Sequence, residues 1–349
     1  MLQLPISVIP DGQLIDVGTR THDLGSFQIN INADAGLAAN SAALAAFQRA
    51  AQQWVSRISD PITINISASL ANLGGGGIIG QTASSYVAAS YNTIRNAMVA
   101  DAVAGGDPGD AIVASLPTAA QFAAILPTGF SLTGAIALTT ANAKALGFTV
   151  NAASDASITF NSQFAFDYDN RDGVDAGKMD FETVAAHEIG HALGFVSAVD
   201  DVDYYRALGQ TASIYLNPLD LYRFQNNVAG RDPSTTSEFT SFARYLNSGG
   251  DAITDTIANE WRMSTGAYTG DGNQASHWKA DDITGLNIGI MDPTLAFGQI
   301  TKVGENDLRA LSLIGYNISS AAVPEPSSIL MLGLGSIVLG GAVRRRTVG

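Results

Sequence analysis

An α+β fold is the class that this 349-residue sequence predicts, on three observations. Phe27 to Ser67 reads as strand, helix, strand. An apolar helix starts near Phe181 and carries two histidines four residues apart. A third helical pattern, "ENDLRALSLIGYNI", ends near Gly315. Strand and helix periods thus occur side by side in one chain.

The first segment places Leu44, Phe47, Ala51, Trp54 and Val55 at helical spacing, and "ITINI" after it is β-branched and alternating. In "NLGGGGIIG", Gly75-x-Gly77-x-x-Gly80 superficially matches a dinucleotide fingerprint; four consecutive glycines, Gly74 to Gly77, favour a flexible loop instead. "SSYVAASYNTIRNAMVADA" is expected to be helical. Gly105 to Ala143 is rich in Gly, Pro and Ala and ambiguous. Asp155 to Asp169 alternates like a strand. In "DNRDGVDAGKMD" and just before it, Asp167, Asp169, Asp172 and Asp175 are candidate calcium ligands. Their spacing misses the EF-hand pattern, and a solvated acidic loop is the favoured reading. Residues 201–276 read as an irregular insertion, and no internal repeat is visible.

Composition narrows the chemistry. With 46% hydrophobic and 14% charged residues, the chain folds rather than staying disordered. A net charge of −14 argues against a nucleic-acid partner. There is no cysteine, which excludes thiol catalysis, iron–sulfur clusters, disulfides and cysteine-ligated zinc. A zinc ion would have to be held by histidine and carboxylate.

"AAHEIGHALGFVSAVD" offers such a site. His187 and His191 lie four apart on a helix, so both imidazoles face one ion, while Glu188 reaches a water on that ion without being a ligand. Two of the chain's four histidines fall in this motif. A catalytic zinc takes about three protein ligands and keeps a position open for water, so one ligand is missing. Nearest in the chain, Ser197 is a poor zinc ligand, and Asp200, Asp201 and Asp203 follow it. The candidates further on are Glu260, in "NEWRMS", and His277, in "ASHWKADDITGLNIGIMDPTLAFG".

"HEIGHALGF" resembles the metzincin class of zinc peptidases. Ser276-His277-Trp278, Met291 in a turn-like setting and Ile314-Gly315-Tyr316 together are similar to the leishmanolysin branch of that class. The resemblance is at the level of motifs, over residues 181–195 and 275–317. It implies that Gly194 turns the chain sharply after the helix, and that the third zinc ligand is His277, displaced 86 residues beyond His191. It also implies that Met291 supports the floor of the site. A Glu260 ligand would make the site gluzincin-like; Gly194 and Met291 favour His277. The implied fold is zincin-like. Its N-terminal subdomain, 26–199, has a twisted mixed sheet and the active-site helix. An inserted segment, 200–276, precedes an irregular C-terminal subdomain, 277–318, that ends in a helix.

The tail, 319–349, carries Pro324-Glu325-Pro326, then the apolar run Ile329 to Val343, then Arg344, Arg345 and Arg346. As a helix the run spans roughly 22 Å, a short membrane segment with the arginines on the cytoplasmic side. The three parts in this order resemble the PEP-CTERM sorting signal of Gram-negative bacteria. That resemblance implies a transient inner-membrane precursor, an exosortase-type processing partner, and delivery to the cell surface or extracellular matrix. Residues 1–25 read as an N-terminal segment whose signal peptide is absent or truncated.

The expected function is therefore that of an exported zinc endopeptidase acting on protein or peptide substrates, with Glu188 as general base. The substrate is expected to lie along an edge strand, with Ser157 to Asn161 as the candidate. The alternatives are an inactive peptidase fold used for surface or matrix adhesion and a nucleotide-binding enzyme using Gly75 to Gly80.

Overall fold

The structure is a computed structural model and describes residues 26–75, 77–105, 110–224, 236–241, 243–246 and 262–319. The chain divides into two units, Met1–Ile318 and Ser319–Gly349, and all described residues but Ser319 lie in the first. It runs β1 (Gln28–Ala33), α1 (Ala35–Ala39), α2 (Ser41–Val55), β2 (Thr63–Ala71), β3 (Gly80–Ser84), β4 (Tyr86–Ser90) and α3 (Tyr91–Gly105). There follow α4 (Asp110–Ala114), β5 (Ala124–Ile125), β6 (Ser131–Thr139), α5 (Thr140–Ala145), β7 (Ala156–Asn161), β8 (Phe166–Asp167) and β9 (Met179–Asp180). Then come α6 (Phe181–Leu193), α7 (Val199–Ala207), β10 (Ser213–Leu216), a 3-10 turn (Pro218–Tyr222), α8 (Thr236–Ser241) and β11 (Arg244–Tyr245). The last described elements are α9 (Asp281–Thr284) and α10 (Glu305–Leu313). The α+β expectation holds, with mixed sheets and several helices packed on apolar clusters.

The main sheet has the order β1-β2-β7-β3. The first three strands are parallel, and β3 is antiparallel to β7. Alternation in β2 sends Ile64, Ile66 and Ala68 inward, as "ITINI" predicts. Helix α2 starts where the Asn40 side chain accepts the Ala43 amide, and buries Phe47, Ala51 and Trp54. These residues form one apolar cluster with Phe160, Phe181, Ile189 and Met291. Helix α6 lies inside that cluster with all its residues buried.

Several expectations are corrected. The predicted helix over 84–102 begins only at Tyr91, because Tyr86–Ser90 is strand β4, antiparallel to β6. Small residues such as Ala88 and Ala89 carry no local preference strong enough to resist that pairing. The strand expected over 155–169 breaks after Asn161. The Asn161 side chain donates to the Gly74 and Ile78 carbonyls and accepts from Leu73 N, pinning the glycine loop. That loop leads into an edge strand, not into a helix N-terminus, which removes the context a dinucleotide fingerprint needs. Ser157 to Asn161 is not an edge: β7 lies between β2 and β3, so its backbone groups are already paired. The edge strands of this sheet are β1 and β3.

A second sheet, β10-β6-β4, draws a strand from 200–276 into the fold. Among the described residues no helix is long and apolar enough to cross a membrane. The apolar run Ile329 to Val343 lies outside them.

Candidate metal centre

Local sequence sets helix α6. Asp180 caps it, accepting from Glu182 N and Thr183 N. It ends at Gly194, whose φ of 117° is open to glycine and strained for other residues. Trp54 Nε1 donates to the Ala186 carbonyl at 3.0 Å, fixing the helix one residue before His187. A Cβ on Gly190 would overlap Met291 Sδ, so the glycine between the two motif histidines is what lets the methionine turn approach. Tyr316 OH donates to the Leu193 carbonyl at 2.7 Å, joining the end of α6 to the segment after α10, and Asn142 Nδ2 on α5 donates to the Ile314 carbonyl at the end of α10.

His187, His191 and His277 are all buried, and their Nε2 atoms lie 3.1, 3.2 and 3.2 Å from one another. They are the group able to hold a metal ion found among the described residues. Each ring's far nitrogen faces a carbonyl: His187 Nδ1 to Ile290 O at 2.8 Å, His191 Nδ1 to Phe195 O at 2.8 Å, His277 Nδ1 to Gln274 O at 3.1 Å. A carbonyl oxygen only accepts, so each Nδ1 carries the proton and each Nε2 keeps a lone pair. Burial holds the His187 pKa down to about 4 and that of His191 to about 3, and keeps that of His277 well below the usual value. Three proton-free lone pairs then meet at one point, an arrangement that repels itself unless a cation sits there. Tetrahedral zinc with nitrogen ligands at ~2.0–2.1 Å sets them about 3.3–3.4 Å apart, close to the spacing here. The donor set therefore fits a small dication.

Glu188 is buried, and its Oε2 accepts Thr82 Oγ1 at 2.6 Å. Burial raises its carboxyl to about 7, with the Thr82 bond opposing. Thr82 is on β3, so the edge strand touches the glutamate. Gly80 is on the same strand, and a Cβ there would stand 2.8 Å from Glu188 Oε1. An open cleft of about 540 Å³ runs from Ile79 and Gly80 past Glu188 and His187 to Ile290 and Pro293.

Met291 is fully buried against α6. Its turn is held by Asp307, which accepts Ile290 N at 2.9 Å, Gly304 N at 2.8 Å and Trp278 Nε1 at 2.8 Å. Ser197, Asp200 and Asp203 join no metal cluster. Ser197 Oγ donates to Asp220, Asp200 accepts from Ala275 N, and Asp203 accepts from Tyr268 N and Thr269 N. The calcium candidates are also engaged elsewhere or solvated. Asp167 accepts from Asp169 N and Asp175 N, Asp169 pairs with Arg171, Asp175 pairs with Lys178, and Asp172 is exposed. Glu260, residues 1–25 and the sorting residues Pro324 to Arg346 lie outside the described residues.

Sequence reasoning missed Thr82, Asp307 and the roles of Gly80, Ser197 and Asp200. For Asp307 a signal existed: an aspartate three residues after Gly304 sits where helix N-termini place a capping carboxylate. The five residues "GQTAS" gave none, because so short a strand has no legible period.

Residues 322–346 match the family model described as the PEP-CTERM protein-sorting motif. The chain thus carries at its C-terminus the motif that marks Gram-negative proteins for export and surface sorting and for processing by an exosortase-type enzyme. No curated protein and no solved structure matches the chain.

Proposed function

We propose that the chain is a surface-sorted zinc endopeptidase of the metzincin type, similar to the leishmanolysin branch. The observation that carries this reading is the convergence of three unprotonated Nε2 atoms beside a buried Glu188 at a cleft. His187, His191 and His277 would hold the ion. When bound, zinc supplies positive charge that lowers the pKa of a water toward ~7 and stabilises the oxyanion of the attacked carbonyl.

The protein's own groups do the rest. Glu188 takes the proton as water attacks the scissile carbonyl and returns it to the leaving amine. Burial raises this carboxyl to about 7 without an ion, and a bound dication beside it would favour the ionised form that accepts the proton. Thr82 holds that carboxylate still through its hydroxyl. The substrate adds as an extended strand to the free edge of β3, through main-chain hydrogen bonds, and its side chains enter the cleft between β3 and the Pro293 turn. The sorting motif supports delivery of this activity to the cell surface, and the extracellular matrix is the further destination proposed for it.

Purified full-length chain should hold one zinc per molecule and hydrolyse casein or gelatin, with chelator abolishing the hydrolysis and zinc restoring it. Failure to bind zinc overturns the metal reading. Stoichiometric zinc with no hydrolysis of any protein substrate leaves the fold as a non-catalytic surface protein.

A further inference from the structure

The geometry points to Asp200 as the positioning residue for the third metal ligand, His277; this inference rests on the metal reading above. Asp200 lies in the first turn of α7, just past the end of the motif helix. Its Oδ1 accepts Ala275 N at 2.6 Å, and its Oδ2 accepts both Ser276 N, at 3.0 Å, and Ser276 Oγ. One carboxylate therefore takes the amides of both residues that precede His277. The Ser276 hydroxyl, having given its proton to Asp200, accepts Ser197 N at 2.9 Å. Every donor and acceptor in the clasp has a defined role, so the register of 275–276 against 197–200 is fixed.

The clasp acts on the ligand in two ways. His277 follows Ser276 directly in the chain, so its Cα position is set by the clasp. Its Nδ1 faces Gln274 O, on the other side of the clasped pair, so the ring's orientation and tautomer depend on the same three residues. His187 and His191 do not share this dependence. Their Nδ1 partners are Ile290 O and Phe195 O, neither of which touches Asp200. Ser197, a poor ligand itself, instead docks the segment that brings His277 to the cluster. Arg223 secures the far side by donating to the Ala275 carbonyl.

The test measures Zn²⁺ affinity by chelator competition and the visible spectrum of the Co²⁺-loaded full-length chain. The variants are Asp200→Asn, Ser276→Ala, His277→Ala, and each of the first two combined with His277→Ala. Asp200→Asn should weaken Zn²⁺ binding about 10–100-fold and alter the Co²⁺ spectrum, with Ser276→Ala doing the same more weakly. In the His277→Ala background both changes should have little further effect, since no third ligand remains to be placed. Equal weakening in both backgrounds overturns the proposal, because the carboxylate is then a general support of the fold. Unchanged affinity and spectrum in Asp200→Asn also overturn it. Should Asp200→Asn not fold, Ser276→Ala carries the same comparison. A parent chain that binds neither metal defeats the metal reading itself, and the inference with it.

Discussion

Helix α6 and the 275–292 segment supply the two parts of the histidine cluster by different means. On α6, His187 and His191 are neighbours because residues four apart on a helix share a face, and Asp180 and Gly194 mark where that helix begins and ends. On the other side, His277 lies in no helix or strand. Its place comes from carboxylates that are remote in sequence: Asp200 on its N-terminal side, and Asp307, which holds Trp278 and the Ile290–Met291 turn. Regular structure positions two histidines through backbone periodicity; buried carboxylates position the third by gathering loop amides. The second means leaves more to single side chains, so the second region should be the more fragile.

The largest expected effect is chemical and common to both regions. Glu188→Ala should lower peptide hydrolysis by roughly 10²–10⁴-fold while zinc content stays at the parent level. Full retained turnover would remove the glutamate from the mechanism.

Next is the loop side. Asp307→Ala leaves Ile290 N and Trp278 Nε1 buried, and Gly304 N half-buried, without their acceptor, and should cost about 3 kcal/mol or more in chemical denaturation. A loss below about 1 kcal/mol would show that the turn holds without it.

Acid sensitivity of the metal-stripped protein compares the two regions directly. The unfolded imidazoles gain protons below pH ~6.5, whereas the folded ones resist to about 4 for His187, about 3 for His191, and well below the usual value for His277. The unfolded state therefore binds more protons in this window, and stability falls as pH drops from ~6.5 toward 4. The slope is at most about 1.4 kcal/mol per pH unit for each histidine. Replacing any one of the three with Ala should remove about a third of that slope. A slope unmoved by His277→Ala would mean that this histidine is not shielded as the helix pair is.

The smallest effect probes the contact between the regions. Gly190→Ala should gain about 1 kcal/mol in helix propensity but lose about 1–3 to overlap with Met291 Sδ, a net loss of about 1. Adding Met291→Ala should make the Gly190→Ala step stabilising, read from the shift in the unfolding midpoint. A Gly190→Ala change that stabilises the parent chain would mean that the methionine yields without cost.

Much of the helical side was legible in the sequence. Phe47, Ala51 and Trp54 at helical spacing, Ile64 and Ile66 in alternation, and the motif helix from Phe181 all occur where the residues put them. The strand reading failed where partners decide. Tyr86–Ser90 became a strand because β6 was there to pair with it, and Ser157–Asn161 became interior because β3 folded back beside it.

The sequence by itself determined the helical histidine pair and the glutamate beside it, the absence of cysteine, and a C-terminal motif matched over residues 322–346. These depend on helix periodicity, composition and contiguous pattern, all of which are local. Only the tertiary structure decided that His277 meets His191 across 86 residues, that Ser197 and Asp200 dock it, and that β3 is the strand beside Glu188. Those outcomes rest on which amides a buried carboxylate collects and which edge a sheet leaves unpaired. Both are properties of packing between distant segments, and neither has a period along the chain.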